Sequence, residues 1–87
     1  MIGLVVLAMS EDNIGEVERL ERLAEAAYKA MYEAQRHNVK DCFEDAVGYF
    51  SQAIDAARRA GLATTVERLT HRREHVAQVY NSQFRYI

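Results

Sequence analysis

Hydrophobic residues recur three or four positions apart along most of this chain, the spacing that places them on one face of an α-helix. The pattern is clearest over residues 43–57, where most of the remaining positions are polar. At 100° per residue, the apolar side chains of this stretch fall within an arc of about 120°. They are Phe43, Ala46, Val47, Phe50, Ala53, Ile54 and Ala57. The stretch is therefore predicted to form a helix with one buried face.

The same spacing predicts a further helix on either side. The C-terminal helix has an apolar stripe of about 100°, formed by Val66, Leu69, Val76, Ala77, Tyr80 and Phe84. The N-terminal helix has a main stripe formed by Val17, Leu20, Ala24, Ala27, Tyr28 and Met31. Leu23, Ala30 and Ala34 widen that stripe on one side. So wide an apolar face either packs against both other helices or leaves a groove for a partner.

Residues that favour helix ends divide the chain at matching places. Three residues that can cap a helix are each followed three positions later by Glu, the spacing of a capping box. The pairs are Asn13 with Glu16, Asp41 with Glu44, and Thr64 with Glu67. Asn38 and Gly61 tolerate the left-handed conformation that ends a helix. We expect helices over residues 11–37, 41–60 and 64–85, joined by short connections, in an all-α, antiparallel three-helix bundle.

The first nine residues are strongly apolar and precede the first expected helix. They lack the basic start and the small-residue cleavage site of a signal peptide. Crossing a bilayer takes about 18 apolar residues, so this shorter run does not predict a membrane span. We expect residues 1–9 to form an apolar leader or tail and residues 10–87 to form a single three-helix domain.

The composition agrees with a small helical domain. The chain has no proline, and 49% of its residues are hydrophobic and 28% charged, values that argue against disorder. The net charge of −2 does not by itself indicate binding to nucleic acid or to a membrane. The single cysteine, Cys42, excludes an internal disulfide framework and predicts a reducing, cytoplasmic location.

Residues 24–57 resemble one unit of the tetratricopeptide (TPR) repeat. The small and aromatic positions of that family have counterparts in Ala27, Tyr28, Ala46, Tyr49, Phe50 and Ala53. With a third helix closing the hairpin, the layout is also similar to the three-helix MIT domains, which bind helical tail motifs in grooves between helices. The resemblance implies a helical scaffold that binds other proteins.

Residues 71–75 match a metalloprotease pattern, but their place on the third helix argues against a metal centre. They read H-R-R-E-H, like the inverted zinc motif H-x-x-E-H. On a helical wheel, His71 and His75 lie opposite the apolar stripe and therefore face solvent. The twelve residues that follow contain no Asp or Glu to serve as a further ligand. We expect no catalytic metal.

Basic residues form a strip along the third helix. Arg68, His71, Arg72 and His75 lie within about 100° of one another. The strip either docks an acidic helix of a partner or is a solvated face paired with the acidic first helix.

Arg73 lies inside the apolar arc of the third helix. An arginine in such a place either covers the core with its stem and keeps its guanidinium in water, or pairs with a carboxylate. The carboxylate would come from Glu16, Glu21 or a ligand. A ligand there would require a polar pocket that excludes water.

Together these observations favour a non-catalytic protein-interaction module, a small adaptor or regulatory domain without a cofactor. The expected partner is a protein or peptide, such as an acidic amphipathic helix, and nucleic acid is not expected. One alternative is a homo-oligomer, such as a homodimer, built on the wide face of the first helix. A third is a small-molecule or metal-binding enzyme with a pocket at Arg73. The candidate partner-binding residues are Leu23, Ala30, Ala34, Arg68, Arg72, Arg73 and Tyr86.

Overall fold

Three α-helices make up the part of the chain that the structure describes. The computed structural model describes the backbone of residues 2–85 and the side chains of residues 14–85. The helices are α1 (Ile2–Glu33), α2 (Val39–Arg59) and α3 (Ala63–Val79). A 3₁₀ turn, Arg36–Asn38, leads into α2, and a π-helical turn, Tyr80–Phe84, continues α3. Residues 2–85 contain no strand, and the expected all-α three-helix bundle is confirmed.

Contacts between side chains show the directions of the helices. Glu21 of α1 contacts Arg68 of α3, and Glu25, one turn later, contacts Arg72. The residue numbers rise together on the two helices, so α1 and α3 run parallel. The helix α2 packs closely against both and runs the opposite way, because its connections to them are short. The bundle is therefore up-down-up.

The core lies along α2, between the apolar stripes of α1 and α3. Its main cluster combines Val17, Leu20 and Ala24 of α1 with residues of α2 and with Leu69 and Val76 of α3. A smaller cluster joins the end of α1, the start of α2 and the end of α3, through Met31, Val39 and Val79. Each cluster draws on all three helices, so no two helices enclose the core alone.

Gly61 ends α2, as the sequence predicted. Its φ of 73° is the only positive value among the described residues, and glycine adopts this conformation without steric cost. The Gly61 N–H donates to the Arg58 carbonyl at 3.1 Å, and the Leu62 N–H donates to the Ala57 carbonyl at 2.9 Å. These are the two hydrogen bonds of a Schellman motif, which turns the chain sharply towards α3.

The starts of the helices differ from those that the capping boxes predicted. Helix α1 begins at Ile2, so residue 13 lies inside it. Asn38 precedes α2 and Leu62 precedes α3, and neither makes a side-chain capping hydrogen bond. The path of the chain is the reason: the 3₁₀ turn runs directly into α2, and the Leu62 carbonyl accepts the first hydrogen bond of α3 from Val66 at 2.9 Å. Both helices therefore begin before Asp41 and Thr64.

The ends of α1 and α3 also differ. Helix α1 stops at Glu33, and Asn38, predicted to end it in a left-handed conformation, has a φ of −102°. The chain leaves α1 through the extended residue Gln35 (φ −67°, ψ 155°), so no left-handed residue is needed. The α-helical part of α3 stops at Val79, and the Arg85 N–H then donates to the Tyr80 carbonyl at 2.8 Å to close the π-helical turn.

The backbone of residues 2–9 continues α1 without a break. These residues were expected to form a leader or tail, and their side chains lie outside the described residues. No helix in the described part of the chain is long and apolar enough to cross a membrane.

Candidate functional site

Helix α1 has two flanks, one on each side of the stripe that packs against α2, and α3 occupies one of them. On a helical wheel, Glu21 and Glu25 lie about 170° from the flank that carries Leu23 and Ala30, and Ala34 follows directly after the helix. The two flanks therefore border two different grooves of the α1–α2 pair. We call the groove that α3 fills the closed groove and the other the open groove.

Two ion pairs border the closed groove. The Arg68 guanidinium donates to the two carboxylate oxygens of Glu21 at 2.6 and 3.0 Å. The Arg72 guanidinium donates to those of Glu25 at 2.8 and 2.9 Å. Both pairs are bidentate, the geometry in which arginine binds carboxylate most strongly. They join residues 47 positions apart, so they connect α1 to α3 directly.

Aromatic residues extend this border towards the end of α3. The Tyr28 hydroxyl lies 3.3 Å from the Tyr32 hydroxyl and 3.5 Å from His75 Nε2. The Arg72 guanidinium carbon lies 5.0 Å from the centre of the Tyr28 ring, within the range of a cation–π contact. Burial, and then the hydrogen bond with Tyr32, raises the pKa of Tyr28 to about 12. The Tyr28 phenol therefore remains neutral at any physiological pH.

The ion pairs shift the pKa of Glu21, Arg68 and Arg72 in the direction that favours charge. The hydrogen bonds from Arg68 hold the pKa of Glu21 below its ordinary value, and Glu21 raises the pKa of Arg68. Pairing with Glu25 raises the pKa of Arg72. Of the two interpretations of the basic strip, the contacts match the one that pairs it with α1, so Arg68 and Arg72 are engaged within the chain.

Arg73 pairs with neither Glu16 nor Glu21. Its guanidinium donates to the Ser51 hydroxyl of α2 at 3.0 Å, and the residue is half-buried. Arg68 binds Glu21. Arg19, three residues after Glu16 on α1, binds Glu16 with a distance of 2.6 Å between the guanidinium nitrogen and the carboxylate oxygen. The guanidinium of Arg73 therefore joins α3 to α2 through a side-chain hydrogen bond and pairs with no carboxylate of the described residues.

The open groove lies between the last turns of α1 and the first turns of α2. It has a volume of about 370 Å³. Small side chains line it, those of Ala30 from α1, Ala34 just after α1 and Cys42 from α2. Its other lining residues are polar or acidic, namely Glu33, Asn38, Asp41 and Asp45. Two of the predicted partner-binding residues, Ala30 and Ala34, therefore line a groove in the structure.

The acidic residues of the open groove differ from those of the closed groove in having no partner among the described residues. Glu33, Asp41 and Asp45 make no ion pair or side-chain hydrogen bond with any described residue. By contrast, Glu21 and Glu25 each hold an arginine of α3. The negative charge of the open groove is therefore not compensated by a contact within the described chain.

The other predicted partner-binding residues are dispersed. Leu23 is 36% exposed and lies on the same flank of α1 as Ala30. Arg68 and Arg72 border the closed groove, and Tyr86 lies outside the described residues. The sequence interpretation missed the acidic residues of the open groove. Asp41 and Asp45 are one turn apart on α2, which is a detectable signal, but only the packing of α1 shows that they face Ala30 and Ala34.

His71 and His75 are exposed, as the helical wheel predicted. His75 contacts the Tyr28 ring edge to face, with ring centres 6.2 Å apart. Among the described residues, no group of three or more His, Cys, Asp or Glu side chains could hold a metal ion.

Comparison with known protein families, with characterised proteins and with solved structures finds no match to this chain. The structure itself defines the class of protein. It is an all-α three-helix bundle in which α3 closes one groove of the α1–α2 pair and the other groove is open.

Proposed function

We propose that this chain is a non-catalytic protein-interaction module that binds a protein or peptide in the open groove between α1 and α2. One observation carries the proposal: the open groove combines small apolar side chains with carboxylates that have no partner in the described chain. Small residues allow a helix or peptide to approach closely, and charged groups at the rim orient it. The resemblance to TPR and MIT scaffolds supports the same role, and the single cysteine supports a reducing, cytoplasmic setting.

A binding selection tests this function. Peptides about 20 residues long, long enough for some five helical turns, are displayed on phage and selected against the full chain. The enriched peptides are then measured against Ala30→Gln, which places a longer side chain in the groove while keeping good helix propensity. We expect at least a tenfold loss of affinity. The matched control is Ala63→Gln, at an exposed position at the start of α3, which should leave the affinity unchanged.

The opposite result would argue against the groove. Peptides that bind both variants equally would place the binding surface elsewhere, and the proposal for the open groove would fall. Circular dichroism of each variant confirms that the fold is retained before the affinities are compared.

Self-association is the second candidate function, and the exposed hydrophobic residues of α1 favour it. Leu23 is 36% exposed on the flank of α1 that α3 leaves open, where a second copy of the chain would cover it, whereas Ile14 and Tyr32, 42% and 51% exposed, lie on the other flank. Sedimentation over a hundredfold range of concentration distinguishes the two functions. A constant monomer mass supports the interaction module, whereas a dimer that Leu23→Glu dissociates supports the homo-oligomer.

A further inference from the structure

Within this molecule, the α1–α2 pair already binds one basic helix. Helix α3 lies in the closed groove, with Leu69 and Val76 fully buried and its arginines 68 and 72 on Glu21 and Glu25 of α1. The arginines are one turn apart on α3, and so are the glutamates on α1. An acidic border of one helix is thus matched to basic residues at the same spacing on another.

The open groove also has acidic residues one turn apart, but no described basic residue pairs with them. Asp41 and Asp45 are one turn apart along α2, about 6 Å along the helix axis, and Glu33 faces the same groove from α1. We infer that the open groove binds a basic amphipathic helix of a partner protein, with Arg or Lys residues one turn apart that pair with Asp41, Asp45 and Glu33. This inference rests on the proposed function and adds the chemistry of the partner to it.

The position of Glu33 in its helix strengthens the charge argument. It is the last residue of α1, where the helix dipole places partial negative charge and disfavours a carboxylate. No described cation offsets this cost by pairing with it. Asp41 does lie in the first turn of α2, where the dipole favours it, but Asp45 lies beyond that turn. The helix dipole therefore favours Asp41 alone, whereas basic residues bound in the groove would pair with all three carboxylates.

The short side chains that line the open groove suit close packing of a helix. The side chains of Ala30, Ala34 and Cys42 are short, so a partner backbone can come close, as in other helix pairs with interaxial distances of about 8–10 Å. Leu23 lies seven residues before Ala30, about 10 Å up the same flank of α1. A large apolar residue of the partner, two turns from its basic residues, would cover this exposed side chain.

A focused peptide library tests the inference. Every member is a 20-residue peptide with an apolar stripe of Ala and Leu, and the two positions one turn apart beside that stripe are varied among Lys, Arg, Glu, Asp, Gln and Ser. The library is selected against the full chain. Binders are compared on Glu33→Gln/Asp45→Asn, which neutralises the groove, and on Glu67→Gln/Glu74→Gln, which removes the same net charge from exposed positions of α3.

We expect Lys and Arg to be enriched at the varied positions. The groove variant should weaken binding by about tenfold, as two rim ion pairs allow, and the α3 variant should not. Affinity should fall as salt rises, because ions screen the rim charges.

Each of the remaining outcomes would overturn the inference, and one of them would also overturn the proposed function. Acidic or uncharged binders that Ala30→Gln still blocks would overturn the basic partner and leave the proposed function standing. Basic binders weakened equally by both charge variants would show attraction to the net charge alone, and would overturn the assignment to this groove. A library without any binder that Ala30→Gln blocks would overturn the inference and the proposed function together.

Discussion

Leu69 and Leu23 are the same amino acid in two environments, and they show how strongly burial decides what a residue contributes. Leu69 is fully buried in the main core, whereas Leu23 is 36% exposed on the flank of α1. Truncating a buried leucine removes its apolar burial and leaves a cavity. Truncating an exposed leucine on a helix leaves no cavity, and alanine has the better helix propensity.

We predict that Leu69→Ala lowers the free energy of unfolding by about 2–5 kcal/mol and that Leu23→Ala changes it by less than about 1 kcal/mol. Urea denaturation of both variants and of the parent measures this. Equal losses at the two positions would contradict the burial of Leu69. In a homo-oligomer, where Leu23 is covered, the loss at Leu23→Ala should grow with protein concentration.

Two glycines give opposite predictions, because one has a positive φ and the other lies inside a helix. Gly61 has a φ of 73°, a conformation that costs an L-residue about 1–2 kcal/mol. Gly48 is in the middle of α2, and an added Cβ would meet nothing within 4 Å there. We expect Gly61→Ala to destabilise the fold by about 1 kcal/mol and Gly48→Ala to stabilise it by up to about 1 kcal/mol. Thermal melting followed by circular dichroism should show the melting temperature moving in opposite directions, and a shift of the same sign would refute the prediction.

At the scale of elements, α3 is attached in two ways: by apolar side chains to the core and by ion pairs to α1. The ion pairs join the helices at a constant offset of 47 residues. A slip of α3 by one turn would mismatch Arg68 with Glu25 and leave Glu21 without a partner. The pairs therefore select the register of α3, although each adds little stability at a surface where solvent screens it.

The pair formed by Glu21 and Arg68 predicts how stability depends on pH. The pKa of Glu21 in the folded chain is below its ordinary value because Arg68 donates hydrogen bonds to it. The stability that this shift contributes is present above the unfolded pKa of about 4.3 and is lost as the pH falls through the folded pKa. Glu21→Gln should therefore destabilise the protein by up to about 1 kcal/mol at pH 7, and this difference should shrink in acid.

Urea denaturation at neutral pH and near pH 2.5 measures this difference. Glu18→Gln is the matched control, since Glu18 is exposed on the same helix and has no ion pair with a described residue. Its effect should stay within about 0.5 kcal/mol at either pH. If Glu21→Gln lowers the free energy of unfolding equally at both pH values, the Glu21–Arg68 ion pair is not the source of that stability.

At the scale of the whole molecule, both hydrophobic clusters contain residues of all three helices. A chain of 87 residues is near the lower limit for a domain that folds on its own core. Removing one helix therefore exposes apolar surface on the other two, because neither cluster closes without it.

We predict that a fragment of residues 1–61, which lacks α3, loses cooperative thermal unfolding. The helical signal at 222 nm should fall and melt gradually, and mixing the fragment with a peptide of residues 62–87 should restore a sharp transition. A fragment that melts as cooperatively as the full chain would show that α1 and α2 form an independent hairpin.

The local features of this protein follow from its sequence. Helical periodicity identified three amphipathic helices, their buried stripes and the turn at Gly61, because each depends on residues close together in the chain. The helix starts were not predicted correctly, because the path of the connections sets them: the 3₁₀ turn runs directly into α2, and α3 begins right after Leu62.

The groove that α3 fills, in contrast, depends on how the three helices pack. That choice joins Arg68 and Arg72 to Glu21 and Glu25, residues far apart in the chain. It leaves the carboxylates near Ala30 and Ala34 without a partner in the described part of the chain. The periodicity of one helix does not specify which helix packs beside it or how the two are aligned along their axes. The pairing of charges depends on both the neighbour and the alignment. The candidate site is therefore a property of how the three helices pack.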